Sequence, residues 1–289
     1  MTTASARAPA KINLTLHITG QRDDGYHTLD SLVVFADVAD QIKAVSAPDL
    51  RIDVSGPFST GVPTDETNII IRAAEALRKA HNVTAGAVIT LEKNLPHAAG
   101  IGSGSSDAAA ALKILASVWD VAPLPPSAPE VLALGADVPV CMRGPAPFRM
   151  SGIGEVLSAA PTLPECALVL INPGVDVPTG TIFAGLKTKT NRAMEWIPED
   201  MDFDAFADWL ALQRNDMMPA AVSHAPEIGV VLDKLSGTSG VEICSMSGSG
   251  ATCFGLMRSM AEARQVARAI QIAHGNWWVA PAQVMRATT

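Results

Sequence analysis

A single stretch constrains this chain more than any other: Pro96-His97-Ala98-Ala99-Gly100-Ile101-Gly102-Ser103-Gly104-Ser105-Ser106-Asp107. It follows an apolar run, Ala87 to Glu92, that reads as a strand, and it opens an Ala-rich helix from about Ser106 to Trp119. Glycines let a backbone approach an anion closely, and the free N–H groups and dipole of a helix start favour negative charge there. Phosphate is the natural ligand, although a purely structural glycine turn stays open on these residues alone. No Gly-Lys-Ser/Thr follows the loop, so it is not a Walker A loop. The Gly-x-Gly-x-Gly spacing does not fit the dinucleotide Gly-x-Gly-x-x-Gly, and no Gly-x-Ser-x-Gly marks a serine-hydrolase elbow.

Before the loop, Ile12, Leu14, Leu16 and Ile18 alternate with Lys11, Asn13, Thr15 and His17. That period of two predicts a half-buried strand with Lys11 and Asn13 on the face away from the core. Gln21 to Gly25 reads as a turn and Thr28 to Phe35 as the returning strand, with short strands near 41–45 and 51–54. Asn68 to Lys79 places Ile69, Ile70, Ala73, Ala74 and Leu77 on one helical face. Four prolines between Val121 and Pro129 make a connector, and Gly152 to Pro164 reads as a hinge between halves. Beyond it, strands are expected at 166–171, 241–245, 252–256 and 277–280, with helices at 204–213, 216–224, 227–235 and 261–274. Strands and helices are intermixed throughout, which predicts a two-domain α+β (mixed α/β) fold.

Composition limits the partners. The 289 residues carry Lys+Arg 21 against Asp+Glu 29, a formal net charge of -8, which argues against nucleic acid or an anionic membrane. No apolar run approaches the roughly 20 residues of a bilayer span and the first ten residues hold no signal-type segment, so a cytoplasmic enzyme is expected. Cys141, Cys166, Cys244 and Cys253 form no Cys-x-x-Cys and no metal ladder with histidine, which predicts reduced, mostly buried thiols and no zinc site. His17, His81, His97, His224 and His274 are scattered and read as solvated or structural.

A second glycine turn, Ser247-Gly248-Ser249-Gly250-Ala251, lies between two predicted strands, and Asp137 sits in the turn Gly135-Ala136-Asp137-Val138-Pro139. Alone, the first reads equally as a tight hairpin and the second as a helix cap. Together with Pro9-Ala10-Lys11-Ile12-Asn13 and the central loop, they occur in the order shown by the GHMP kinases (galactokinase, homoserine kinase, mevalonate kinase), which this chain resembles. Gly20 to His27, Pro173-Gly174, Pro178-Thr179, Ile182-Phe183 and Asn215-Asp216 make it most similar to those members whose acceptor is a diphosphocytidyl alcohol, over nearly the whole length from Arg7 to about Gly255.

The resemblance implies an N-terminal GHMP kinase domain over 1–158, a C-terminal ferredoxin-like domain over 159–289 and an active site in the cleft between them. It implies transfer of the ATP γ-phosphate to the 2-hydroxyl of a cytidine-diphosphate-linked methylerythritol, in the non-mevalonate route to isoprenoid precursors. Asp137 would be the general base and Lys11 its cationic partner. Pro96, His97, Ala98, Ala99, Gly100, Ile101, Gly102, Ser103, Gly104, Ser105 and Ser106 would hold ATP, with Mg²⁺ carried mainly by the nucleotide. Tyr26 and Phe183 would sandwich the cytosine and His27 would bond its edge, while Asn13, Gly248 and Gly250 would meet the acceptor. A homoserine or phosphomevalonate type of kinase, or a noncatalytic protein of the same fold, are the competing readings. For them, the Tyr26, His27 and Phe183 set or the Lys11 and Asp137 pair would be idle.

Overall fold

The computed structural model describes residues 2–286, so the outermost residues of the two expected domains (1 and 287–289) lie outside it. In chain order the elements are β1 (Thr3–Asn13), β2 (His17–Gln21), β3 (His27–Ala47), β4 (Arg51–Ser55), α1 (Ile69–His81), β5 (Gly86–Glu92), α2 (Ser103–Val118), α3 (Pro129–Leu132) and α4 (Val138–Arg143). There follow β6 (Phe148–Gly152), β7 (Val156–Ala159), β8 (Ala167–Asn172), α5 (Thr179–Ala184), α6 (Phe203–Ala211), α7 (Met218–His224), α8 (Glu227–Ser236), β9 (Ile243–Met246), β10 (Cys253–Met257), α9 (Met260–Ala273) and β11 (Trp278–Gln283). The chain forms two compact units: one of residues through Ala10, Ala39–His97 and Gly102–Gly144, and another of Lys11–Val38, Ala98–Ile101 and the residues from Pro145 onward.

In the first unit, β5 pairs antiparallel with the C-terminal part of β3 and parallel with β4. Helices α1 and α2 pack on this sheet through Ile70, Ala74, Leu77, Ala108, Leu112 and Leu115, all buried. Helix α1 starts as its sequence directs, with the Asn68 side chain accepting the Ile70 N–H, and Arg78, Lys79 and His81 in its last turn complement the dipole.

In the second unit, a four-stranded antiparallel sheet has the order β11-β8-β10-β9. Taken with its helices, this is the βαββαβ ferredoxin-like arrangement expected for the C-terminal half. Strand β8 is buried on both faces, as the centre of a covered sheet must be. Helix α9 begins with a capping box in which Ser259 and Glu262 satisfy each other's backbone N–H.

Three expectations need correction. The alternating segment 12–18 is not one strand. The Thr15 side chain accepts the Leu32 N–H (2.8 Å) and Ser31 donates to the Thr15 carbonyl (2.5 Å), so side chains take over the ladder and the chain breaks between β1 and β2. Its polar face is not exposed either: Lys11, Asn13, Thr15 and His17 are all buried. Gly152 to Pro164 is no plain hinge, because β6 and β7 pair there as a hairpin. The thiols agree with the sequence: none of the four cysteines is exposed, Cys166 and Cys253 being buried and Cys141 and Cys244 partly so.

Candidate active site

The end of β1 enters a seam between two glycine turns of the second unit. Lys11 N–H donates to the Ile101 carbonyl (2.9 Å) and Thr252 N–H to the Ala99 carbonyl (3.1 Å). Ser247 Oγ accepts the Asn13 N–H (3.0 Å) and donates to the Gly100 carbonyl (2.8 Å), joining strand, central loop and late turn through one hydroxyl. Only glycine permits this approach. A Cβ on Gly100 (φ +74) would lie 2.3 Å from the Ser247 carbonyl oxygen, and one on Gly248 (φ +57) would lie 2.7 Å from that of Gly100. Asn215 holds the late turn from beneath, its Nδ2 donating to the carbonyls of Met246 (2.7 Å) and Gly248 (2.9 Å). Thr179, at the start of α5, reaches Ser249 hydroxyl to hydroxyl at 2.8 Å. Gly250 is buried in this turn, close to Met246 and Ile228.

The loop then opens α2 in the first unit. Gly102 takes the left-handed conformation (φ 59) as N-cap, Ser103 Oγ donates to the Pro96 carbonyl (3.1 Å), and Ser106 N–H makes the first helical bond to Gly102. The N–H groups of Ser103, Gly104 and Ser105 have no acceptor inside the helix. Gly104 differs from Gly100: its Cβ would meet nothing nearer than Ile69 Cγ2 at 3.9 Å. The protein itself has no packing need for glycine there, so the open face fits a group arriving from outside, as a phosphate at a helix start would.

Asp137 is the N-cap of α4, but its side chain makes no capping hydrogen bond. The capping alternative therefore fails. Lys11 is 3% exposed, so it is no solvated strand residue. Asn13 is buried, with Nδ2 donating to Ser31 Oγ at 2.8 Å. His27 stacks on Phe183, with ring centroids 4.6 Å apart and planes at 12°. Its Nε2 is buried and makes no hydrogen bond. Burial first, and Lys189 second, hold the His27 pKa below its ordinary value, so the ring is neutral at pH 7 and Nε2 can donate or accept by choice of tautomer. Tyr26, beside it, is 61% exposed.

The structure thus gathers Asn13, Ala98 to Ile101 and the late glycine turn, and separately pairs His27 with Phe183. Sequence reasoning missed Ser247, the hydroxyl that joins the turns, and Asn215 as the late turn's support. It also missed Lys93, Asp40 and Asp107, which lie buried around the stems of the glycine loop. Asp107 carried a signal, a charge leading into the apolar run Ala108 to Ala111, whereas Lys93, between Glu92 and Asn94, carried none. Among the described residues, no group of three His, Cys, Asp or Glu side chains is arranged to hold a metal ion.

The GHMP kinases N terminal domain matches residues 68–146, and the GHMP kinases C terminal domain matches 194–276. The 4-diphosphocytidyl-2-C-methyl-D-erythritol kinase of Paramagnetospirillum magneticum is 48% identical over 286 residues, 99% of this chain and 100% of that protein. That of Cereibacter sphaeroides is 51% identical over 291 residues, with the same shares covered. Among solved structures, a 4-(cytidine 5'-diphospho)-2C-methyl-D-erythritol kinase superposes with a TM-score of 0.76 at 29% identity, covering 98% of this chain and 100% of that one. A homoserine kinase from Cytophaga hutchinsonii reaches 0.73 at 17% identity, covering 98% and 95%, and shares the fold. With GHMP kinase domains in both halves and near-full-length identity to these enzymes, the chain belongs to the GHMP kinases and, within them, to the 4-diphosphocytidyl-2-C-methyl-D-erythritol kinase family.

Proposed function

We propose that the protein transfers the γ-phosphate of ATP to the 2-hydroxyl of 4-(cytidine 5'-diphospho)-2-C-methyl-D-erythritol, releasing ADP in the non-mevalonate route to isoprenoid precursors. The observation that carries the cytidyl assignment is the His27–Phe183 pair with its unbonded, buried Nε2. A pyrimidine offers ring faces for stacking and a polar edge for one hydrogen bond, and homoserine or phosphomevalonate offers no base at all. In this reading the exposed Tyr26 side chain closes over the base when the acceptor binds.

The acceptor oxygen attacks the γ-phosphorus, its proton passes to the Asp137 carboxylate, and the bond from the γ-phosphorus to the β–γ bridging oxygen breaks to leave ADP. Asp137, at the start of α4, supplies the carboxylate that a general base for this step requires. Lys11 supplies positive charge against the developing charge of the phosphoryl group, as an electrostatic stabiliser. The Ser103, Gly104 and Ser105 N–H groups receive phosphate oxygens, and the glycine at 104 leaves room for them. Asn13, Gly248 and Gly250 meet the acceptor. Mg²⁺ carried by ATP would neutralise phosphate charge, and no residue of the chain is assigned to it. A cytoplasmic setting goes with this chemistry, and no helix among the described residues is long and apolar enough to cross a membrane.

Thermal unfolding with CMP or CDP tests the base site apart from catalysis. Protection by either nucleotide that disappears in Phe183→Ala supports it. Equal protection of both proteins would place the base elsewhere.

A further inference from the structure

Three charged side chains that the proposed chemistry does not use lie buried together in the first unit. Lys93 Nζ donates to Asp40 Oδ2 at 2.5 Å and to Asp107 Oδ2 at 2.6 Å, and no member of the trio is more than 3% exposed. Asp40 Oδ1 accepts two further bonds, from the N–H groups of Asn94 (2.6 Å) and Leu95 (2.8 Å). Asp107 Oδ1 has no partner. Lys93 stands just before the glycine loop, and Asp107 lies on α2 just after it. The trio therefore clasps both stems of the loop, while Asp40 on β3 fixes the first two residues of the outgoing stem. An apolar contact would tolerate sliding of one stem past the other; a lysine shared between two carboxylates fixes their separation.

We propose that Asp107 is a positioning residue for the nucleotide: through Lys93 and Asp40 it ties the stems of the glycine loop together and sets the start of α2 for the ATP phosphates. This rests on the reading of that loop as the ATP site. The charged groups facing Asp107 are Lys93, from the stem after β5, and Asp40, from β3. Burial pushes the Asp107 carboxyl up to about 7, with Lys93 opposing the rise and Asp40 adding to it. Two carboxylates against one ammonium leave the trio a negative charge in excess, which a proton relieves below that pH. Above it, the uncompensated charge stands in the second turn of the helix that receives ATP.

The experiment measures KM for ATP and for the diphosphocytidyl alcohol in the full chain, in Asp107→Ala and in Asp107→Asn. The alanine cuts the tie but leaves Asp40 and Lys93 as a one-to-one pair, so no unpaired charge is created. The asparagine keeps an acceptor for Lys93 and removes the charge. Loss of one hydrogen bond to a charged phosphate oxygen lowers affinity by about 10- to 100-fold, so Asp107→Ala should raise the ATP KM by that factor while the alcohol KM changes by less than about twofold. Asp107→Asn should restore the ATP KM and abolish the rise above pH 7 expected of the unsubstituted protein. An unchanged ATP KM in Asp107→Ala, equal rises for both substrates, or alanine and asparagine behaving alike would each overturn the proposal. If Asp107→Ala does not fold, the pH comparison decides, and the same profile in Asp107→Asn as in the unsubstituted protein overturns it. Failure of the unsubstituted protein to bind ATP would instead remove the site reading itself.

Discussion

Gly100 and Gly104 are four residues apart, one in the glycine loop and the other in the first turn of α2, and have opposite surroundings. Around Gly100 the backbone of the late turn is so close that a Cβ would overlap it, whereas beside Gly104 the nearest atom would be 3.9 Å away. One glycine is needed by the fold, and the other leaves space for a group that is not protein. The same division runs through the rest of the site. Ser247 and Asn215 spend their hydrogen bonds on the protein's own backbone. His27 Nε2 has no partner, and the proposed reaction gives the Asp137 carboxylate to the acceptor. Substitutions in the first class should cost stability, and those in the second should cost function alone.

Asp137→Asn tests the second class most severely. Loss of a general base typically lowers the rate by about 10²–10⁴, so turnover should fall by that factor while the melting temperature and ATP binding stay near their original values. A large fall in melting temperature would move Asp137 into the structural class. Gly100→Ala should do the reverse: overpacking and a positive φ together cost about 2–5 kcal/mol, read as a shifted urea midpoint. An unaltered midpoint would show that the seam can open without cost.

Phe183→Ala should weaken binding of the diphosphocytidyl alcohol by about 1–3 kcal/mol, the usual worth of base stacking on an aromatic ring. ATP affinity should be unaffected, and equal losses for the two ligands would contradict the assignment. Gly104→Ala should leave stability unchanged or raise it by up to about 1 kcal/mol, since alanine is the better helix former, yet reduce ATP affinity. Retained affinity would put the phosphates away from the α2 start.

Asp107 adds a dependence on pH. Its carboxyl is raised from 3.8 to about 7, so the folded protein holds that proton more tightly than the unfolded chain. The stability this contributes is full below the unfolded value and is lost as pH rises through about 7. Relative to Asp107→Asn, the unsubstituted protein should therefore lose stability between pH 4 and pH 7, read as converging or crossing urea midpoints. A constant difference across that range would mean that the trio does not take up a proton.

Much of this was legible in the sequence, because local chemistry wrote it there. The Asn68 cap, the apolar stripe of α1 and the glycine loop opening α2 all declare themselves within a few residues. The long strand β3 was not legible as one element, since Asp37 and Asp40 resemble turn residues. Both serve as acceptors for distant backbone: Asp37 takes the Gln283 N–H and Asp40 takes those of Asn94 and Leu95. The β6–β7 hairpin was hidden for another reason, as β7 is largely exposed and carries no alternating pattern. The buried polar face of the 11–18 segment was misread because alternation reports which residues face together, not whether the second face is covered. In the site, residue types with a family pattern were visible, but Ser247 and Lys93 work through partners more than 10 residues away that no local pattern announces.

The most direct test of the account is ADP release by the purified protein with Mg-ATP and, in turn, the diphosphocytidyl methylerythritol, homoserine, phosphomevalonate or no acceptor. The account predicts turnover with the diphosphocytidyl alcohol alone. Turnover with homoserine or phosphomevalonate in its place would contradict the cytidine site, and no turnover with any acceptor would contradict the assignment of a kinase.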